Sequence, residues 1–288
     1  MLEEIKKRYD LMSKGQKRIA DYISDNYEQA AFMTAARLGD AAKVSESTVV
    51  RFAVMMGYAG YTEFQEEMAG RIREKLVSPK KSLTNHYREN KNDLLRGVLV
   101  ADAQNIVDTI HLVDSGAFER AVDIIENARK VYIVGIRTCA PLASYLAYYL
   151  NMIREDVISV TSPNITELYE QLYWMNSEDA LLGISFPRYS LRTLKAMEFG
   201  NERNARLITI SDSEYSPMNM YSSCNLWAKT DMVTVADSLV APMSIINALT
   251  VALFMRNEEK VTKNLKDMEK VWNDFQIYET DDMSKIGE

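Results

Sequence analysis

The sequence predicts two architectures in one chain: an all-α N-terminal helix-turn-helix domain, then an α/β three-layer domain with a five-stranded parallel sheet. Three observations predict it. Before residue 130, apolar residues recur at helical spacing in one segment after another. Within them, residues 34–64 (TAARLGDAAKVSESTVVRFAVMMGYAGYTEF) combine a capping residue, a tight turn and a buried stripe at helix-turn-helix spacing. From residue 130, short apolar runs alternate with helical segments, the pattern of strands covered by helices on both faces.

Residues 1–10 are expected to form a short helix, and Lys14 to Phe32 a longer one with the stripe Ile19, Tyr22, Ile23 and Tyr27. Thr34 can N-cap the next helix, with Ala35, Leu38, Ala41 and Ala42 inward and Gly39 letting a second helix cross close by. Lys43-Val44 is the turn, Val44 folding under the pair. Ser45 caps the second helix, on which Val49, Phe52 and Met56 form one buried stripe, and Gly57 ends it. Glu46, Ser47, Val50 and Arg51 are left outward, where a recognition helix meets base edges. Arg51 can pair bidentately with guanine O6/N7, and Ser47 can bond a donor or an acceptor. Lys43, Ser45 and Thr48 suit phosphates, and Thr34 joins the same candidate DNA-binding set. A helical hairpin with no DNA role shares the two helices. The combination of cap, turn hydrophobe, stripe and outward Arg at the required spacing favours DNA.

Tyr61 to Leu76 continues as a helix through Phe64, Met68, Ile72 and Leu76. Ser78-Pro79-Lys80-Lys81 reads as a linker, which divides the chain into 1–77, a linker at 78–90, and 91–280. Asn92–His111 (Leu95, Val98, Leu99, Ile106, Ile110) and Ser115–Ala128 (Phe118, Val122, Ile125) are amphipathic helices. Strands are expected at Val131–Val134, Val157–Val160, Ala180–Ile184, Leu207–Ile210 and Leu226–Ala228. Between them lie helices at Pro141–Met152, Asn164–Met175 and Ser190–Asn204, and a short turn near Met218. Asp237 or Ser238 caps the last core helix, and Glu258–Ile277 is a charged amphipathic helix.

A chain of 288 residues has room for two domains at ~150 residues each. A net charge of −7 argues against a protein that coats nucleic acid. Residues 1–80 carry 13 Lys+Arg against 12 Asp+Glu, whereas 81–288 carry 21 against 29. The DNA candidate thus sits in the less acidic part, and specific binding calls for locally clustered charge and two copies. Cys139 and Cys224 fit a reduced, cytoplasmic protein, and with His86 and His111 as the only histidines no metal or cofactor is expected. No signal peptide is expected either. The uncharged run Leu239–Met255, at 17 residues, is shorter than the ~20 of a membrane span and reads as a buried core helix, so no membrane partner is expected.

In a parallel sheet, ligands sit beyond the strand C-termini, where helix N-termini offer free N–H groups. Two loops have suitable chemistry: Gly135-Ile136-Arg137-Thr138-Cys139 and Ser185-Phe186-Pro187-Arg188-Tyr189-Ser190. Each brings a hydroxyl and an Arg to a helix start, and Arg matches a phosphate or carboxylate fork. Hydroxyls that only cap helices, with solvated arginines, fit the same residues.

The stretch VSESTVVRFAVMMGYAGYTEF resembles the RpiR/MurR family of bacterial transcription regulators. There a V-S-x-[SA]-T-V-x-R-F core precedes an L-G-[FY]-x-G-[FY]-x-E-F tail, here Met56-Gly57-Tyr58-Ala59-Gly60-Tyr61-Thr62-Glu63-Phe64. Lys43 stands where such proteins usually have Gly. The second half is similar to a sugar isomerase (SIS) domain, whose second loop commonly reads S-x-S-G-x-T and grips a sugar phosphate. Ser185 and Ser190 match its first Ser and final Thr, while Pro187 and Arg188 replace the middle Ser and Gly. Against G-x-G-x-S in the first loop, Thr138 stands for the hydroxyl and Arg137 for a Gly. Ile210–Pro217 and Asp237-Ser238 match as well.

The resemblance implies a regulator rather than an enzyme, binding double-stranded operator DNA as a homo-oligomer, dimer or tetramer. It further implies that a phosphorylated sugar or amino sugar is sensed at Gly135, Arg137, Thr138, Ser185, Arg188 and Ser190. A competing reading is an aldose–ketose phosphate isomerase with an appended helical domain. Isomerisation needs a base beside a carbonyl, usually Glu or His. His86 near the linker and His111 before the first strand are not placed for it, which leaves Glu167 and Glu170, early in the helix after Asn164, as the plausible acids. A regulator whose ligand site is degenerate is a third reading.

Overall fold

The computed structural model describes residues 1–77, 94–231 and 237–275. The expected linker at Ser78–Lys81 and His86 lie outside them. Six helices make the N-terminal part: α1 (Leu2–Arg8), α2 (Lys14–Asp25), α3 (Tyr27–Ala30), α4 (Ala35–Ala42), α5 (Glu46–Met55) and α6 (Tyr61–Val77). Ser13 opens α2 with a capping box: its hydroxyl accepts the Gln16 N–H (3.4 Å) and the Gln16 side chain accepts the Ser13 N–H (2.9 Å). The single helix expected over Lys14–Phe32 breaks at Asn26 (φ −133°, ψ 43°). There the Asn26 amide donates to Tyr22 O (3.1 Å), a local bond that competes with continued helix.

Leu38, Val49, Phe52, Phe64 and Met68 are fully buried, and Phe52 and Tyr58 pack edge-on around Phe64 at 5.7 and 5.2 Å. Each such side chain contributes roughly 1.5–3 kcal/mol by leaving water. Gly39 is required by the turn's own backbone: a Cβ there would lie 2.9 Å from Val44 O. Lys43 closes α4 in the left-handed region (φ 54°), its N–H reaching Asp40 O (3.1 Å) while the Val44 N–H reaches Gly39 O (2.8 Å). Thr34 caps α4, accepting the Arg37 N–H (3.3 Å). Ser45 begins α5 but does not cap it through its side chain. Its hydroxyl is taken instead by Ser47 Oγ (2.9 Å) and Thr48 Oγ1 (2.8 Å).

The second half begins with α7 (Leu94–Ile110) and α8 (Ser115–Glu126), followed by β1 (Val131–Gly135), α9 (Ala140–Leu150), β2 (Val157–Val160) and α10 (Ile165–Leu172). Then come β3 (Ala180–Ile184), α11 (Leu191–Glu202), β4 (Arg206–Ser211), β5 (Cys224–Trp227), α12 (Val240–Arg256) and α13 (Glu258–Asp274). The five strands are parallel in the order β2-β1-β3-β4-β5. Side chains alternate between the faces. Val131 and Ile133 join Val122, Leu146 and Leu249 from α8, α9 and α12. Tyr132 and Val134 join Leu168 and Met197 from α10 and α11. That second face is also continuous with the core of the N-terminal helices.

Asp179, fully buried before β3, accepts from Arg129 Nη2 (2.8 Å) and from the backbone N–H groups of Asn176 (2.9 Å) and Lys130 (3.2 Å). It ties the strand N-termini together and leaves the opposite end of the sheet for chemistry. The run Leu239–Met255 is the core helix α12, and α13 turns from it by 99°. Among the described residues no single helix is long and apolar enough to cross a membrane. One expectation fails on α7: Leu95, Leu99 and Ile110 of its apolar face are exposed, and the buried positions are Asn105 and Thr109. These two hold the segment after β5, Asn105 donating to Asp231 O (2.8 Å) and Thr109 accepting the Lys229 N–H (2.9 Å).

Candidate functional site

Sheet register brings the two candidate loops together. Gly135 at the end of β1 pairs with Ile184 at the end of β3, so residues 136–140 and 185–190 leave the sheet side by side. Gly135 tolerates no side chain, since a Cβ would lie 2.4 Å from Cys139 O and 2.9 Å from Ala143 Cβ. The loops meet at the Cys139 thiol, which burial pushes up to about 11 while the Thr138 side chain and the Phe186 backbone act in the opposite direction.

Arg137 and Arg188 both adopt left-handed backbone, with φ of 60° and 73°. These are the positions where glycine was expected from the resemblance, so the loops keep a glycine-type path while carrying guanidinium groups at the surface. Ser185 is buried and its hydroxyl accepts the Ser190 N–H (3.0 Å), which curls the loop and leaves the hydroxyl proton for a ligand. Ser190 caps α11 by accepting the Thr193 N–H (3.4 Å). Ser190 thus serves as the cap of α11 and stands at the mouth of the same loop. Thr138 is exposed in the tight turn before α9.

Two further segments complete the cluster, and candidate-residue reasoning passed over their roles. At the end of β4, Ser211 Oγ donates to Ser185 O (2.8 Å), and Asp212, just beyond it, accepts the Tyr189 hydroxyl (2.8 Å). Before α12, Asp237 lies 3.7 Å from Arg188 Nη2. Of the two residues expected to cap α12, Ser238 is the one near its N–H groups, at 3.5 Å from Val240 N, while Asp237 turns to the arginine. Burial lifts the Asp237 carboxyl above its ordinary range, with Arg188 pulling the other way. A guanidinium, two hydroxyls and helix N-termini on one rim can hold a compact anion. Glu167 and Glu170 are instead exposed on α10, Glu167 bonded to Ser162 and Asn164, and His111 is exposed just beyond α7.

At the other candidate surface, Glu46, Ser47, Val50 and Arg51 all face outward on α5. Arg51 folds along the helix, donating to Ser47 O (3.1 Å) and Ser47 Oγ (3.4 Å). Thr48 is half-buried and Lys43 is exposed at the turn. Arg18, which sequence spacing did not single out, donates from Nη1 to Lys43 O (2.9 Å) and sets a second cation at that turn.

Comparison with known proteins finds two family models in the chain. Residues 1–75 match the family model described as a helix-turn-helix domain, rpiR family, and residues 124–252 match the SIS domain. The HTH-type transcriptional regulator HexR of Escherichia coli is 24% identical over 274 residues, 92% of each chain. The sugar isomerase domain of an RpiR transcription factor from Sphaerobacter thermophilus superposes with TM-score 0.60 at 26% identity, over 62% of this chain and 99% of that one. The Vibrio vulnificus NanR protein, complexed with ManNAc-6P, superposes with TM-score 0.62 at 18% identity, over 95% of this chain and 98% of that one. With an rpiR-type helix-turn-helix at its N-terminus and a SIS domain behind it, the chain belongs to the RpiR family of transcriptional regulators.

Proposed function

We propose that this regulator reads double-stranded operator DNA through α5 and senses a phosphorylated sugar or amino sugar at the rim formed by Gly135, Arg137, Thr138, Ser185, Arg188 and Ser190. The division into 1–77, a linker at 78–90 and 91–280 goes with this reading, as does a homo-oligomer. The observation that carries it is the pair of adjoining loops that keep glycine-type backbone yet present Arg137 and Arg188. The complex of NanR with a phosphorylated amino sugar supports the same ligand class.

The test starts from thermal unfolding with hexose and N-acetylhexosamine 6-phosphates, the corresponding neutral sugars serving as controls. Only a ligand of the folded state raises the midpoint. Calorimetric titration of the stabilising sugar then compares wild type with Arg137→Gly, Arg188→Gly and Ser185→Ala. Removing one charge-assisted hydrogen bond should weaken binding by roughly 10-fold or more in either arginine variant. Equal affinity in all four proteins would locate the site elsewhere, and stabilisation by neutral sugars alone would end the phosphate reading.

A further inference from the structure

The β3–α11 loop has a second face. Between Arg188 and Ser190 lies Tyr189, which is buried and packs edge-on against Phe32 of the N-terminal domain, ring centroids 5.4 Å apart and planes at 86°. Phe32 belongs to the turn that leads into α4. The Tyr189 hydroxyl is held at the same time by Asp212 (2.8 Å). One ring therefore touches the loop cluster at its polar end and the DNA-binding domain at its edge.

A second contact lies alongside. Arg37 on α4 donates from Nη1 to Met220 O (2.9 Å), and its guanidinium lies 4.1 Å from the centre of the Tyr221 ring. Met220 ends the tight turn Pro217–Met220, which Ser216 opens. Ser216 Oγ meets Ser211 Oγ at 2.6 Å, and Ser211 donates to Ser185 O. Hydrogen bonds from Ser185 to Ser216, then the backbone of the turn Pro217–Met220, thus link the β3–α11 loop to Arg37. Both contacts converge on α4, whose far end is locked to α5 by the close approach at Gly39 and the left-handed Lys43.

We propose that docking through Phe32–Tyr189 and Arg37–Met220/Tyr221 couples occupancy of the β3–α11 loop to the position of the recognition helix. The proposal rests on the reading of that loop as an anion site. Coupling requires a contact whose energy differs between the empty and filled states. Tyr189 meets this requirement because both its chain neighbours are candidate ligands. An anion that draws Arg188 from Asp237 and engages Ser190 shifts the backbone on either side of the ring. A recognition helix repositioned in this way presents a different face to DNA without any change in its own side chains.

Hydrogen exchange on the full chain tests this, without and with inorganic phosphate, in wild type, Arg37→Gln and Phe32→Ala. Phosphate should slow exchange over residues 185–190 in all three proteins. In wild type it should also change exchange over residues 34–42 by about fivefold or more, the size of ordinary allosteric coupling. Both variants should lose that second response and keep the first. Arg37 is only half-buried, so Arg37→Gln keeps the test alive should Phe32→Ala fail to fold. An equal response over 34–42 in wild type and Arg37→Gln, or none in wild type while 185–190 responds, overturns the coupling and leaves the anion site standing. Silence over 185–190 removes the anion site and the coupling with it.

Discussion

Lys43, Arg137 and Arg188 hold left-handed backbone with φ of 54°, 60° and 73°. For a residue with a Cβ this costs roughly 1–2 kcal/mol, against an entropic cost of roughly 0.5–1 kcal/mol for glycine at the same place. The two nearly cancel, so Arg137→Gly and Arg188→Gly remove a guanidinium while leaving the fold about as stable. Alanine, which keeps the wild-type strain, serves as a second probe of the same guanidinium groups. The exchange of glycine for arginine was legible in the sequence. Retention of the glycine path was not, because φ is set by the whole loop and not by the residue it carries. Asp237 gives a test at this scale. Burial raises its carboxyl above the ordinary 3.8, and that balance already includes the attraction of Arg188. A carboxyl raised in the folded state contributes stability that is full below its unfolded value and is lost as pH rises through the folded value. Asp237→Asn cannot ionise, so it should melt higher than wild type at neutral pH. The gap should close as pH falls below 3.8, and melting curves across pH 3–7 would show it. Because Arg188 is 39% exposed, removing its partner costs at most about 1 kcal/mol. A variant that melts lower at neutral pH, or a gap that does not change with pH, would refute this account of Asp237.

Among elements, α7 departs furthest from expectation. Its apolar stripe was legible as a 3.6-residue period, and the sequence alone could not say what covers it. Among the described residues nothing does: Leu95, Leu99, Val100 and Ile110 are each more than half exposed. Beside them an apolar crevice of about 180 Å³ opens between α7, α8 and α12, lined in part by Ile106, Ile110, Phe118 and Ile245. Exposed apolar patches of this kind mark association surfaces. A second copy of the chain is the partner proposed here, in line with the proposed homo-oligomer, since helix-turn-helix units commonly read DNA as a two-fold pair. Leu99→Lys together with Ile110→Glu should convert the wild-type oligomer into a 32.9 kDa species in sedimentation, with its circular dichroism unchanged. An oligomer that survives both substitutions would move the interface off α7. The strands were easier to read. Val131, Ile133, Leu182 and Ile208 are buried on one face and Tyr132, Val134 and Leu181 on the other, so each run is apolar along its length and bounded by polar turns. The break between α2 and α3 was hidden, since Asn26 interrupts the helix through a side-chain bond that leaves the hydrophobic period intact.

At the scale of the molecule, the contact between Phe32 and Tyr189 joins residues far apart in sequence, and no local pattern in a single chain announces it. The charge problem, by contrast, was visible from the start. A protein of net charge −7 must concentrate cations where it meets DNA. The fold gathers them at the turn before α5: Lys43 is exposed there, Arg18 is bonded to its carbonyl, and Arg51 lies one turn into the helix. These cations should separate by what they do. If Arg51, on the outward face with Ser47, reads a base edge as proposed, Arg51→Ala should cost ~1–3 kcal/mol of operator affinity and relax preference at one base pair per half-site. Arg18→Ala and Lys43→Ala should weaken operator and unrelated DNA alike and reduce the salt slope by ~1 for each phosphate left without its cation. Half-sites should be spaced by whole turns of ~10 base pairs, since a two-fold pair presents both α5 helices to one face of the duplex. Gel-shift titrations over a range of salt, on the operator and on scrambled DNA, distinguish the two classes. If Arg51→Ala lowers affinity for both DNAs equally, α5 contacts phosphates only. The reading of sequence would then pass to another element, and the outward face of α5 would be a positioning surface.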